Sequence, residues 1–251
     1  MIQQKTNSIQ TGFSLVEMAV VIVILGLVMG ALLLPLQAQR DLSYQSQTDS
    51  TLDQAKKALI GFAQSRGRLP CPATTTSDGL ESFKNNSELA GECDNTAGFL
   101  PGKTLGIQPA DAEGYALDAW GNRLRYAVTQ DDNNGNPSLF FTTPNAMSNQ
   151  GVANLQPSLK VCQSLTGITA SKCSANTPET NYLINNAVAV IYSLGATGAE
   201  TATSAEELEN LDDDAIFVST QVTANGDFDH ALTWISPYVL YNSMIEAGQL
   251  H

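Results

Sequence analysis

From Met18 to Leu36 the chain runs nineteen residues without a charged side chain, close to the ~20 that an α-helix needs to cross a bilayer. A segment of that kind reads as a membrane span, and whatever follows it must be built around being tethered. Two features set the run apart. Glu17 sits at its edge, where an ionisable group at membrane depth costs roughly 2.5 to 3.5 kcal/mol and so marks a function and needs a partner. Gly12 precedes Phe13 at the point where the polar leader stops.

Neither ordinary explanation accounts for both. A secretory signal peptide has a charged start, an apolar core of ~7 to 15 residues and a small-x-small cleavage site. Here the run is longer, Lys5 is the only charge in the leader ahead of Phe13, and Leu36-Gln37-Ala38 makes a poor cleavage site. An uncleaved anchor helix explains the length, with Gly26-x-x-x-Gly30 as a packing face, but leaves Glu17 unexplained.

Gly12-Phe13-Ser14-Leu15-Val16-Glu17, with the apolar run behind it, resembles the type III signal of the type IV pilin and type II secretion pseudopilin superfamily. The resemblance implies that a prepilin peptidase cuts between Gly12 and Phe13 and that the new amino group of Phe13 is methylated. It also implies that Glu17 of an incoming subunit neutralises the Phe13 ammonium of a neighbour already in a fibre. Opposite charges in a low-dielectric medium cost far less paired than apart, which supports such a contact. The implied partners are other pilin or pseudopilin subunits, the peptidase, an inner-membrane assembly platform, and membrane lipid before assembly. The implied location is the inner membrane with the head in the periplasm, then the pilus or pseudopilus.

The formal charge of −13 becomes one unit more negative once the leader with Lys5 is removed. Such acidity argues against nucleic acid as the main partner, because neutralising phosphates requires Lys and Arg. Cys71, Cys93, Cys162 and Cys173 are an even set behind an export segment and match no zinc spacing, so they read as disulfides formed in an oxidising compartment. Four cysteines allow three pairings, and Cys71 with Cys93 plus Cys162 with Cys173 closes the shortest loops.

Beyond Pro35, Leu52, Ala55, Leu59, Phe62 and Ala63 recur at helical spacing on one face, and Gly67, Pro70 and Pro72 stop the helix. Gly26, Gly30 and Pro35 are its weak points. Residues 71–120 and 144–182 are rich in breakers and read as loops carrying the cysteines. Leu124 to Thr129 alternates as a strand, Asp131 to Asn136 turns, and Leu139 to Thr143 returns as a hairpin. Ala187 to Gly195 reads as the most buried strand, followed by strands at Ala215 to Thr223 and Ala231 to Ile235. Ser236-Pro237 then starts a final helix, Tyr238 to Ala247, closed by Gly248. Asp118-x-Trp120-Gly121-Asn122-x-x-x-Tyr126 closely resembles the start of the sheet in major pseudopilins, with Trp120 expected to cap the core and Gly121-Asn122 to supply the turn.

Ca²⁺ is the one cofactor in view. Ser193-Leu194-Gly195-Ala196-Thr197-Gly198 resembles the turn that opens the calcium loop of major pseudopilins, although Thr197 stands where the acidic ligand would be. The carbonyl of Leu194 and the carboxylates of Asp212 and Asp213 are the candidate ligands, set against the favoured reading of a solvated acidic loop. Asp131-Asp132-Asn133-Asn134-Gly135 lacks the closing Glu of a calcium loop, since Phe141 occupies the twelfth position, and reads as a polar turn. His230 reads as a surface residue, and no catalytic motif is present, so no enzymatic activity is expected.

The expected chain is α+β and pilin-like: a cleaved leader at 1–12, a transmembrane or fibre-core helix at 13–36, its amphipathic continuation at 37–66, and a head at 67–251 in which that helix packs on an antiparallel sheet with disulfide-tied loops. The expected function is structural, as a pilus or pseudopilus subunit and more a minor than a major one. The alternative is a membrane-tethered binding module or adhesin that does not polymerise.

Overall fold

The structure, a computed structural model, describes Gly12 and residues 14–131, 138–174, 181–198, 204–212, 214–221 and 228–250, with the side chains of 31–38 outside that description. The chain divides into two compact units, Met1–Ser43 and Tyr44–His251. One α-helix, α1 (Leu15–Arg66), runs through the boundary. Gly26, Gly30 and Pro35 all lie inside α1, so none of them ends it.

From Met18 to Met29 α1 carries no charged side chain, and its apolar residues face every side. Each large apolar side chain from Leu15 to Met29 is at least 48% exposed. Among the described residues, no helix is long and apolar enough to cross a membrane; the uncharged run read from the sequence continues through residues 31–36, whose side chains are not described.

The second unit is α+β. After α1 come β1 (Ala97–Phe99), α2 (Gly102–Leu105), β2 (Arg125–Val128), α3 (Ala146–Gln150), β3 (Leu159–Cys162), β4 (Tyr182–Ala187), β5 (Ala189–Ser193), α4 (Ala205–Glu209), β6 (Ile216–Val218), β7 (Ala231–Ile235) and α5 (Pro237–Glu246). A four-stranded antiparallel sheet has the order β1-β2-β5-β7. A smaller sheet has the order β4-β3-β6, with β3 and β6 parallel. The chain leaves the small sheet at Ala187 and joins the large one at Ala189.

Strand alternation assigns the two faces of the large sheet. Tyr126, Val128, Ala189, Ile191 and Ile235 join Leu52, Ala55, Leu59 and Ala63 of α1 and Leu240 and Met244 of α5 in the main core. Ala127, Val190 and Tyr192 point the other way, onto Leu159 and Val161 of β3 and Phe217 of β6. β5 is therefore buried along its whole length, which is why its sequence is apolar without alternation. Phe62, expected on the core face, is only half buried; its ring faces the Arg68 guanidinium at 5.1 Å.

Two expectations are corrected here. Residues 139–143 do not return as a strand: β2 pairs with β1 and β5 instead. The 139–143 segment is a turn, with Phe141 buried and its carbonyl accepting from the Leu69 amide. Thr142 is held by Gln130 and by the Gly91 carbonyl, so this stretch serves as a plug and forms no ladder. The second sheet, with its parallel pair, was not expected either. The 71–93 and 162–173 segments are closed by Cys71–Cys93 and Cys162–Cys173 bonds.

Candidate functional site

The start of α1 is built from three residues. Gly12 is exposed, and a Cβ there would meet no atom within 4 Å. Phe13, expected to carry both processing and assembly, lies outside the described residues, and so does Asp213. Ser14 and Glu17 form a reciprocal cap: the Glu17 amide donates to Ser14 Oγ at 3.2 Å, and the Ser14 amide donates to Glu17 Oε2 at 3.2 Å. Such a capping box satisfies two amides that the helix leaves without partners. Glu17 therefore has a local role that the sequence reading missed, although Ser-x-x-Glu ahead of an apolar run is its signature. Behind the cap, the exposed apolar surface has no partner in the described chain, and a helix apolar on every side belongs in a core or a membrane.

Residues 7–33 match the family model described as the prokaryotic N-terminal methylation motif. The chain carries a prepilin-type signal. The matched residues take in Gly12, Phe13, Ser14 and Glu17 and support a type IV pilin-like precursor; the head lies beyond the match. No curated protein and no solved structure matches the chain.

In the head that follows the prepilin signal, Asp118 and not Trp120 organises the start of the sheet. Asp118 is buried; its Oδ1 accepts from the amides of Trp120 and Asn122, and its Oδ2 accepts from the Ser193 hydroxyl at 2.6 Å. Asn122 then donates from Nδ2 to the Gly195 carbonyl at 2.7 Å, tying the turn before β2 to the turn after β5. Trp120, expected to cap the core, is half buried and meets Tyr44 edge-on at 5.9 Å.

The turn that resembles a calcium loop is held from inside the chain. Thr197 donates from its amide (2.8 Å) and hydroxyl (3.0 Å) to the two oxygens of Asp229. Gly195 adopts φ +67°, and a Cβ there would fall 2.3 Å from the Asp229 carbonyl, so the close approach requires glycine. Burial pushes the Asp229 pKa up while the Thr197 bonds pull against it. The Thr197 donors already occupy both oxygens of this carboxylate, and Thr197 itself offers no acidic ligand to a cation. Leu194 is buried just after β5, and among the described residues the carboxylates that gather with Asp212 are Glu209, at the end of α4, and Asp214, both half-buried. Burial first, and then the charges of Asp212 and Glu209, push the Asp214 pKa up to about 6.

His230, expected at the surface, is only 4% exposed. One ligand atom each from Glu207, Asp229 and His230 lie within 4.8 Å of one another, yet the ring cannot ligate a metal. Asn210 Oδ1 accepts from the Val218 amide at 2.7 Å while its Nδ2 donates to the Val218 carbonyl, which fixes the amide orientation. The Nδ2 group therefore also donates to His230 Nδ1, leaving the proton on Nε2 and no lone pair free for a metal. Glu207 is committed as well, to the capping box of α4 and to the Asp229 amide. Burial pushes the His230 pKa down to about 4 against the pull of Glu207, with Arg125 adding to the fall. The ring is a neutral core group, stacked at tilted angles near Tyr192 and Phe228.

Proposed function

We propose that this protein is a structural subunit of a type IV pilus or type II secretion pseudopilus, not an enzyme. It is inserted in the inner membrane through the apolar part of α1, cut by prepilin peptidase after Gly12, methylated at Phe13, and drawn into a helical fibre with its head on the outside. The observation that carries this reading is a methylation motif placed on a helix whose large apolar side chains are exposed on every side. Lipid covers that surface before assembly and the helices of other subunits cover it afterwards. Loops of unequal length closed by two disulfides favour a minor subunit, because irregular heads hinder uniform packing. In the fibre, Glu17 exchanges its cap on Ser14 for the Phe13 ammonium of a neighbouring subunit.

The capping box and the intersubunit ion pair make opposite predictions for one variant. Glu17→Gln keeps an oxygen that accepts from the Ser14 amide but loses the charge, whereas Glu17→Ala loses both. We expect both variants to be cleaved and both to be missing from sheared fibres. A fibre fraction of Glu17→Gln equal to wild type would show that Glu17 only caps the helix. Cleavage without any fibre, even in the wild type, would favour the tethered binding module.

A further inference from the structure

We infer that Arg68 is the positioning residue that selects Cys93 as the partner of Cys71 during oxidation. Arg68 lies three residues ahead of Cys71 and is 1% exposed. Its five N–H groups all have acceptors. Nη1 donates to Glu81 Oε2 at 2.7 Å and to the Leu69 carbonyl, Nη2 to Glu81 Oε1 at 2.9 Å and Glu88 Oε1 at 2.6 Å, and Nε to Glu88 Oε1 at 3.2 Å. Phe62 and Phe83 place their rings 5.1 and 5.0 Å from the guanidinium, a flat-sided setting that suits Arg and not Lys.

Apart from Phe62 on α1, these contacts fall on or beside the loop that the disulfide closes. Glu81 Oε2 also accepts from the Cys71 amide, which ties the first cysteine to the same carboxylate. Phe83, lying on Arg68, forms an antiparallel bridge with Cys93, flanked by bonds from the Lys84 amide to Glu92 and from the Asp94 amide to Ser82. The Cys93 amide donates to Gln130. The two thiols are thus carried together by noncovalent bonds that start at Arg68. The second pair is held separately, by Asn181 and the Tyr182 hydroxyl around Cys173. Each bond forms when two thiols give up two electrons and two protons to glutathione disulfide, which leaves as two glutathione molecules. Arg68 raises the effective concentration of one thiol for the other in that exchange.

The test refolds the full reduced chain in detergent micelles with a glutathione redox buffer and quantifies both bonds by non-reducing peptide mass spectrometry. Arg68→Met is expected to lower the equilibrium constant for Cys71–Cys93 by at least about tenfold, with Cys162–Cys173 within about twofold of wild type and Arg68→Lys in between. An unchanged Cys71–Cys93 constant in Arg68→Met, or an equal fall in both constants, overturns the assignment. Should Arg68→Met fail to refold, Glu88→Gln decides, because it alters one half-exposed partner of the guanidinium: a loss confined to Cys71–Cys93 supports the role of Arg68, and no loss overturns it.

Discussion

The two units use the same apolar residues in opposite ways. In the head, Leu59, Leu124, Ile191 and Phe141 are fully buried and the chain supplies its own cover. In the first unit, Leu15, Val16, Ile22 and Leu27 stay more than half exposed. Polar groups repeat the contrast. Arg68, Asp118 and Asn210 are buried and bonded to partners 13, 75 and 8 residues away, whereas Glu17 is exposed and bonded only three residues away. Among the described residues the head covers most of its large apolar side chains itself, and the first unit leaves its own exposed.

Mutations that separate the units test this division. The largest effect is expected from a charge on the exposed apolar helix: under the proposed membrane anchoring, Val23→Asp costs about 3 kcal/mol, enough to lower the insertion constant roughly a hundredfold, read on fractionation as loss from the membrane, with head melting unchanged. The mirror experiment is Leu59→Ala, which removes a core side chain and should cost the head about 2 to 5 kcal/mol in denaturant unfolding while leaving membrane retention at the wild-type level. Failure of either variant to respect the boundary would break the comparison.

Smaller effects come from titration within the head. The folded pKa of His230 is about 4, below its ordinary value of 6.5, so its contribution is present above pH 6.5 and is lost as pH falls through 4. Relative to His230→Gln, the wild type should lose about 3 kcal/mol across that window in unfolding measurements at stepped pH. Asp214 is raised to about 6, so it carries the opposite sign: its contribution is present below pH 3.8 and is lost as pH rises through 6. Asp214→Asn keeps the acceptor for the Ile216 amide and should therefore gain stability over wild type above pH 6, by the smallest of these margins. Equal pH profiles for wild type and either variant would remove that group from the head's electrostatics.

Much of this fold could be read from local pattern. Spacing at Leu52, Ala55, Leu59 and Ala63, stopped by Gly67, located the amphipathic half of α1. Ser236 and Pro237 located α5, where the Ser236 hydroxyl accepts from the Val239 amide as a cap should. The apolar run at β5 was legible because both of its faces are buried. Long-range partners were not legible. Leu139 to Thr143 has strand-like residues, but the edges of β2 were already taken by β1 and β5, so the segment plugs the core instead. His230 looked like a surface residue because nothing nearby in sequence announces Asn210, twenty residues away. Asp118 was hidden by the more conspicuous Trp120 in the same motif, since its value comes from Ser193, on a different strand. At the helix start, Gly12, Phe13 and Glu17 stood out because a Gly-Phe step and a carboxylate at the edge of an apolar run are local features, while the cap on Ser14 went unread although its Ser-x-x-Glu signature is local too.

The most direct test of the first unit's role is the intact mass and N-terminal sequence of the protein recovered from the cell envelope. A chain that begins at N-methylated Phe13 is the predicted result; an intact Met1, or a start beyond residue 36, would contradict it.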